Sequence, residues 1–167
     1  MIVLDATAGN RTIWHNKNPP NGVFMDKEYK LWFPPTLFAD FRFCPFRDAV
    51  FSCIIFDPPH KITTNPPPWW AKPDGRKTDK SRGAGWYGWW NKKREMIASI
   101  DKAQKEFTRI SGRLCFKWGE VDLSLWNILP LFNRWKTIQE KEHHHYNKRG
   151  KNKSWWVTFI KQTKRID

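Results

Sequence analysis

The chain has 167 residues, 40% of them hydrophobic, with a net charge of +14 and a pI near 9.9. That length accommodates one domain with a core of its own, 1–167, and the basic excess points to an anionic partner, nucleic acid or an anionic membrane surface. No apolar run approaches the length of a membrane-spanning helix and no signal-peptide pattern opens the chain, so a cytoplasmic, intracellular protein with no membrane partner is expected.

The first run, "MIVLD", reads as a strand and is followed by the small-residue turn "ATAGNR". "GVFMD" (22–26), "TLFAD" (36–40) and "AVFSCIIFD" (49–57) repeat the pattern. Four apolar runs thus each end in an aspartate: Asp5, Asp26, Asp40 and Asp57. Continuous apolar runs read as strands covered on both faces, as in a parallel sheet. Ligands of open α/β sheets bind beyond the carboxyl ends of the strands, so the four acids are expected along one edge. The connections are short and broken by Pro19-Pro20 and Pro34-Pro35, which leaves room for reduced helices only. After Asp57 come Pro58, Pro59 and His60. Prolines cannot donate to a ladder, so they end the strand and leave Asp57 at its tip.

Residues 61 to 90 have no helical or strand period and read as one long loop rich in Trp, Pro and basic residues. Its Trp69, Trp70, Trp86, Trp89 and Trp90 either stack on bases or bury one another or a core. From Met96 to Ile110 an apolar stripe at three–four spacing predicts an amphipathic helix that Gly112 stops. "RLCFKW" (113–118) is a fifth strand, and "DLSLWNILPLF" (122–132) a short helix that Pro130 ends or kinks. "WKTIQEKE" and "SWWVTFIK" form an antiparallel hairpin, with "HHHYNKRGKNK" as its loop and the turn near Gly150. Three consecutive histidines cannot face one ion from a strand, because side chains alternate, so no metal is expected there. Cys53 and Cys115 lie inside apolar runs and read as buried free thiols; there is no CxxC pair.

"LDATAGNRTIWHNKNPPNGVFMDKE", "DFRFCPF", "FDPPH", "FKWGE" and "GKNKSWWVTFIK" together resemble class I S-adenosylmethionine-dependent methyltransferases. Within them the likeness is to the amino-methylating branch with an Asp-Pro-Pro-aromatic signature, and to its small single-domain members from phages and prokaryotes. It implies a Rossmann-like, mostly parallel sheet ending in an antiparallel hairpin, S-adenosylmethionine as cofactor, and a prokaryotic or viral origin. Residue by residue, it implies that the loop Asp5, Ala6, Ala8, Gly9 holds the methionine end of the cofactor. Asp26 binds the ribose hydroxyls, and Asp40 with Phe41 contacts the adenine. Asp57, Pro58, Pro59 and His60 match the catalytic motif, with His60 at the position that stacks on an extruded base. The pattern departs at Arg11, where the family has a second glycine. No helix is read before the first strand, where the family usually has one, so the expectation is either a more open cofactor pocket or one completed by another chain, a homodimer or a partner.

No separate recognition domain fits in the chain. Trp69, Trp70, Arg76, Lys77, Arg82 and Trp86 of the long loop, with Lys148, Arg149 and Lys151 of the hairpin, are the expected substrate contacts. Basic groups hold phosphates and aromatic faces stack on unpaired bases. The leading expectation is methylation of adenine N6 in DNA. RNA methylation, at adenine N6 or guanine N2, and a methyltransferase-like module that binds nucleic acid without catalysis are the alternatives. A protein glutamine target is disfavoured by the charge.

Overall fold

The computed structural model describes residues 1–28, 31–65, 89–147 and 150–162, with 144–147 and 150–152 described through their backbone. The strands are β1 (Val3–Asp5), β2 (Gly22–Asp26), β3 (Leu37–Phe38), β4 (Cys53–Phe56), β5 (Lys61–Ile62), β6 (Trp89–Trp90), β7 (Arg113–Gly119), β8 (Trp135–Asn147) and β9 (Gly150–Lys161). Seven of them form one sheet in the order β3-β2-β1-β4-β7-β9-β8. The pairs up to β4–β7 are parallel; β9 then runs antiparallel to both β7 and β8. Order reverses between β1 and β4, which fixes the crevice where ligands of such sheets bind. This is the Rossmann-like α/β architecture with a C-terminal antiparallel hairpin that the sequence led us to expect.

The four apolar runs become β1 to β4, trimmed at their ends. β3 shrinks to two residues. Among the described residues no helix joins any of the first four strands, as the proline-broken connections require.

The predicted helix is α1 (Lys93–Ile110); Met96, Ile100, Ala103, Phe107 and Ile110 of its apolar stripe are fully buried, whereas Ile97 of the same stripe is exposed. The short helix α2 (Leu125–Ile128) runs into a 3-10 turn at Leu129–Leu131, where Pro130 lacks the donor to continue it. Both helices lie on one face of the sheet, where they join Leu4, Met25, Ile54, Phe56, Leu114, Phe116, Val157 and Phe159 in a single core. Phe107 of α1 meets Phe56 edge-on at 5.0 Å, and Phe132 stacks on Phe159 at the same centroid distance.

The other face corrects a prediction. Continuous apolar runs were expected to be covered on both sides, yet burial alternates along β4 and β7. Cys53, Ile55, Cys115 and Lys117 point away from the helices and are half-buried. A run of four apolar residues reads alike whether one face or two is covered, because β-branched and aromatic residues fill both. The two thiols are therefore half-buried rather than buried, and their Sγ atoms lie 3.6 Å apart across β4 and β7.

Two loop predictions change as well. β5 and β6 pair in parallel, Lys61 with Trp89 and Ile62 with Trp90, so the ends of the long segment are tied together rather than free. The hairpin is also longer than expected. β8 continues through His143–Asn147 and β9 begins at Gly150, so the histidines are strand residues, not a loop. Cross-strand pairing overrides polar composition there.

Phe116 is fully buried between Phe56, Phe132 and Phe159. Phe116→Ala is expected to lower stability by about 3–5 kcal/mol, the usual range for an aromatic removed from a core. Urea denaturation checks this, and a loss below about 1 kcal/mol would mean that this core collapses around the gap.

Candidate active site

The strand order brings the tips of β1, β2 and β4 together. The chain leaving β1 stays close to its neighbours: Ala6 N donates to Ile55 O at 2.9 Å and Ala8 N to Met25 O at 3.0 Å. Gly9 then turns through φ +48°, the left-handed region that suits glycine, and the space a Cβ would fill there is open. Its N–H donates to Asp26 Oδ2 at 2.8 Å, and Glu28 N donates to Asp26 Oδ1 at 2.8 Å. Asp26 therefore stands beside an open backbone loop, half-buried, with its charge directed at that loop.

Arg11 occupies the second-glycine position and adopts a glycine's conformation, φ 53°. Such a conformation costs a non-glycine residue on the order of 1–3 kcal/mol. The side chain offsets this by leaving the loop. Nη1 donates to Lys17 O at 2.6 Å and Asn18 Oδ1 at 2.5 Å, Nη2 donates to Pro34 O at 2.7 Å, and the guanidinium lies 3.8 Å from the Phe24 ring centroid. The loop thus keeps a glycine-type path although the residue is arginine.

Asp5 is fully buried. Its Oδ2 accepts from Trp14 Nε1 at 2.7 Å and its Oδ1 from Thr7 N at 3.2 Å. Burial pushes its pKa up to about 7, against the pull of those two donors, with Asp57 and Asp26 adding repulsion. A carboxyl whose folded pKa lies above its ordinary value stabilises the fold below that ordinary value, and the contribution is lost as pH rises through the folded pKa. Wild type should therefore lose stability relative to Asp5→Asn as pH climbs from about 4 to 7. Urea midpoints of the two proteins across that window check it; a constant difference would refute it.

Asp57 lies just beyond β4, where Thr7 Oγ1 accepts its N–H at 2.8 Å. Burial opposes its charge, but His60 and Lys117 outweigh burial and hold its carboxyl below the usual range. Lys117 Nζ donates to Oδ2 at 2.8 Å, and His60 Nε2 lies 3.0 Å from Oδ1. Two buried carboxylates a few residues apart in space are thus set differently: Asp57 ionised, Asp5 reluctant to ionise. The carbonyl of Pro59 accepts from Trp90 Nε1 at 2.7 Å, which ties the proline loop to β6. The His60 ring meets Trp118 edge-on at 5.0 Å and lies against Gly119, where a Cβ would come within 3.0 Å of His60 Cδ2. Its side chain is 11% exposed, so the ring is tucked between β7 and Asp57 and is not displayed for stacking.

The expected cofactor residues at the β3 end are placed differently from one another. Asp40 forms a bidentate pair with Arg42, at 2.9 Å and 2.5 Å, and accepts Arg42 N as well. Phe41 is 9% exposed and packs on Phe56 at 5.1 Å and Trp90 at 6.4 Å, so most of its ring serves the core. Trp69, Trp70, Arg76, Lys77, Arg82, Trp86, Lys148 and Arg149 lie outside the described residues, and Lys151 is described by its backbone in β9 alone. Sequence reasoning missed Lys117 and Gly119. A charged residue inside the aromatic run "FKWG" was the available signal, since a central strand admits a lysine only where a partner waits. Among the described residues there is no cluster of three metal-ligating side chains, and no helix is long and apolar enough to cross a membrane.

No protein-family model matches the chain, and no curated protein matches it. Among solved structures, the N-methyltransferase NodS from Bradyrhizobium japonicum WM9 superposes with a TM-score of 0.53 at 13% identity, over 97% of this chain and 85% of NodS. The NodS complex with S-adenosyl-L-homocysteine gives 0.54 at 10% identity, over 97% of this chain and 77% of the other. Likeness at such identity establishes a shared fold alone, a Rossmann-like, mostly parallel sheet ending in an antiparallel hairpin.

Proposed function

We propose that this protein is an S-adenosylmethionine-dependent N-methyltransferase that modifies an exocyclic amino group of a nucleic-acid base, adenine N6 in DNA. The observation that carries the proposal is Asp57: a buried carboxylate kept ionised at the tip of β4, followed by two prolines, at the edge where β1 and β2 present an open glycine turn and Asp26. The fold it shares with NodS, which has been crystallised with S-adenosyl-L-homocysteine, supports the cofactor class. The +14 charge supports the polymer class.

The residues at the β1–β2 tips fit a nucleoside cofactor. Asp26 would accept from the ribose hydroxyls, the open turn at Ala8 and Gly9 would admit the cofactor's backbone-facing side, and Asp5 and Ala6 fix the start of that turn. S-adenosylmethionine supplies an electrophilic methyl group. The remaining work belongs to the chain. A base amine shares its lone pair with the ring, so it is a poor nucleophile. The Asp57 carboxylate and the Pro58 carbonyl accept its two N–H groups, favour a pyramidal nitrogen and free the lone pair. Lys117 already holds Asp57 Oδ2, so the carboxylate is oriented before the substrate arrives, and His60 must withdraw from Oδ1 to admit the amine. The proline pair stiffens the loop and limits the entropy lost on binding.

Incubating the protein with methyl-labelled S-adenosylmethionine and duplex or single-stranded DNA tests the reading. Label retained on DNA supports it. Tight cofactor binding with label transferred to RNA alone would move the substrate class, and an absence of both binding and transfer would overturn the enzyme.

A further inference from the structure

Beside Asp57 and its loop, a lysine stands inside a central strand. Lys117 stands on β7, one residue past Phe116, and Asp57 stands one residue past Phe56 of β4; Phe56 and Phe116 are register partners. The two side chains therefore meet by register across neighbouring parallel strands. Lys117 shares its side of β7 with Cys115, the face free of helices among the described residues, and its antiparallel partner on β9 is Trp156. The lysine side chain is 15% exposed and the carboxylate 4%. Burying a cation there is costly unless a partner compensates it. The Nζ–Oδ2 distance is 2.8 Å, the length of a charge-assisted hydrogen bond.

The surrounding chain is shaped around the same pair. Trp118 Nε1 donates to Leu123 O at 3.0 Å, and Glu120 Oε1 accepts from Leu125 N at 2.8 Å, so the end of β7 is anchored to the turn before α2. Gly119 leaves room for the His60 ring. Lys117, Trp118 and Gly119 thus form a fixed seat. Lys117 meets one carboxylate oxygen, and His60, backed by Trp118 and Gly119, stands by the other.

We propose that Lys117 is a positioning residue: its ammonium engages Asp57 Oδ2, and this both fixes the rotation of the carboxylate and keeps it a charged acceptor, with Oδ1 left for the substrate amine once His60 moves. The inference deepens the proposed function and rests on it for the identity of the substrate. The contact between Lys117 and Asp57 stands independently of that reading. Among the described residues, the charged and titratable groups facing Asp57 include Lys117 from β7, His60 from its own loop and Asp5 from β1. Removing Lys117 leaves the carboxylate with the buried Asp5 on one side and His60 alone on the other. Loss of an adjacent cation raises a carboxyl pKa by about 1–3 units. The active form is the carboxylate, so activity would fall as pH drops through the raised value.

The test compares wild type, Lys117→Met, Lys117→Gln and Lys117→Arg, each checked for folding by circular dichroism. The first readout is the titration of the Asp57 side-chain carbon by NMR in protein labelled at aspartate, assigned by Asp57→Asn. The second is the pH dependence of kcat. The expected result is an Asp57 midpoint raised by about 1 unit or more in the Met and Gln variants, an acid limb in kcat that moves with it, and recovery of both by arginine. An unchanged midpoint in the variant that folds overturns the proposal whatever the activity. A raised midpoint with wild-type kcat across the pH range overturns the positioning role. If wild type transfers no methyl group while the midpoint still moves, the proposed function fails and the hold of Lys117 on Asp57 survives.

Discussion

Asp57→Ala is expected to lower kcat for methyl transfer by about 10²- to 10³-fold, the usual cost of losing one pre-placed electrostatic contact to the reacting group. Cofactor affinity should change little, because Asp26 and the Gly9 turn belong to other strand tips. The split between kcat and cofactor Kd separates this outcome from general damage. Some damage is expected all the same. The alanine leaves the Lys117 ammonium buried without the Asp57 carboxylate, and breaking a buried pair costs about 3–5 kcal/mol. Asp57→Asn is therefore the companion variant. It keeps the shape and one carbonyl acceptor but cannot serve Lys117 and the amine equally, so its kcat should fall between wild type and alanine. Single-turnover rates at saturating cofactor check both. Full activity in Asp57→Ala would remove Asp57 from the reaction.

Asp26→Ala should weaken S-adenosylmethionine binding on the order of 100-fold. Each hydrogen bond to a charged group is worth about 1.5–3 kcal/mol, and a ribose offers two hydroxyls. The carboxylate now accepts Gly9 N and Glu28 N, both at 2.8 Å. Its loss therefore also frees the turn that faces the cofactor. Asp26→Asn retains a single acceptor and should lose less. Titration calorimetry with S-adenosyl-L-homocysteine reads the effect without turnover. Unaltered affinity in Asp26→Ala would place the cofactor elsewhere or exclude it.

Much of this site was legible because it is built from strand ends. An apolar run followed by an acid and a breaker marks a strand tip in any register, and four such runs in order fix a shared edge. The helix α1 was legible for the same kind of reason, an apolar stripe at one period over eighteen residues. What escaped depends on contacts between distant segments. Two-residue strands such as β5 and β6 carry no period, so their pairing appears only once Pro59 is tied to Trp90. The histidine run reads as a polar loop until β9 supplies the facing ladder. Arg11 reads as an obstacle in the cofactor turn, because nothing local says that its guanidinium reaches Asn18 and Pro34. Lys117 is the most instructive omission. Its partner lies 60 residues away in sequence, and only the register of β4 with β7 brings the two together. The half-buried face of β4 and β7 escaped because short apolar runs look the same whether one face or two is covered.

The chemical identity of the product decides whether Asp57 assists an amino-methyl transfer. DNA incubated with the protein and methyl-labelled S-adenosylmethionine should be digested to nucleosides and resolved by chromatography and mass spectrometry, with Asp57→Ala run in parallel. Wild type should place label in N6-methyladenine, and the variant should lose that label. Label on a ring carbon, or equal label from both proteins, would contradict an Asp57-assisted amino-methyl transfer.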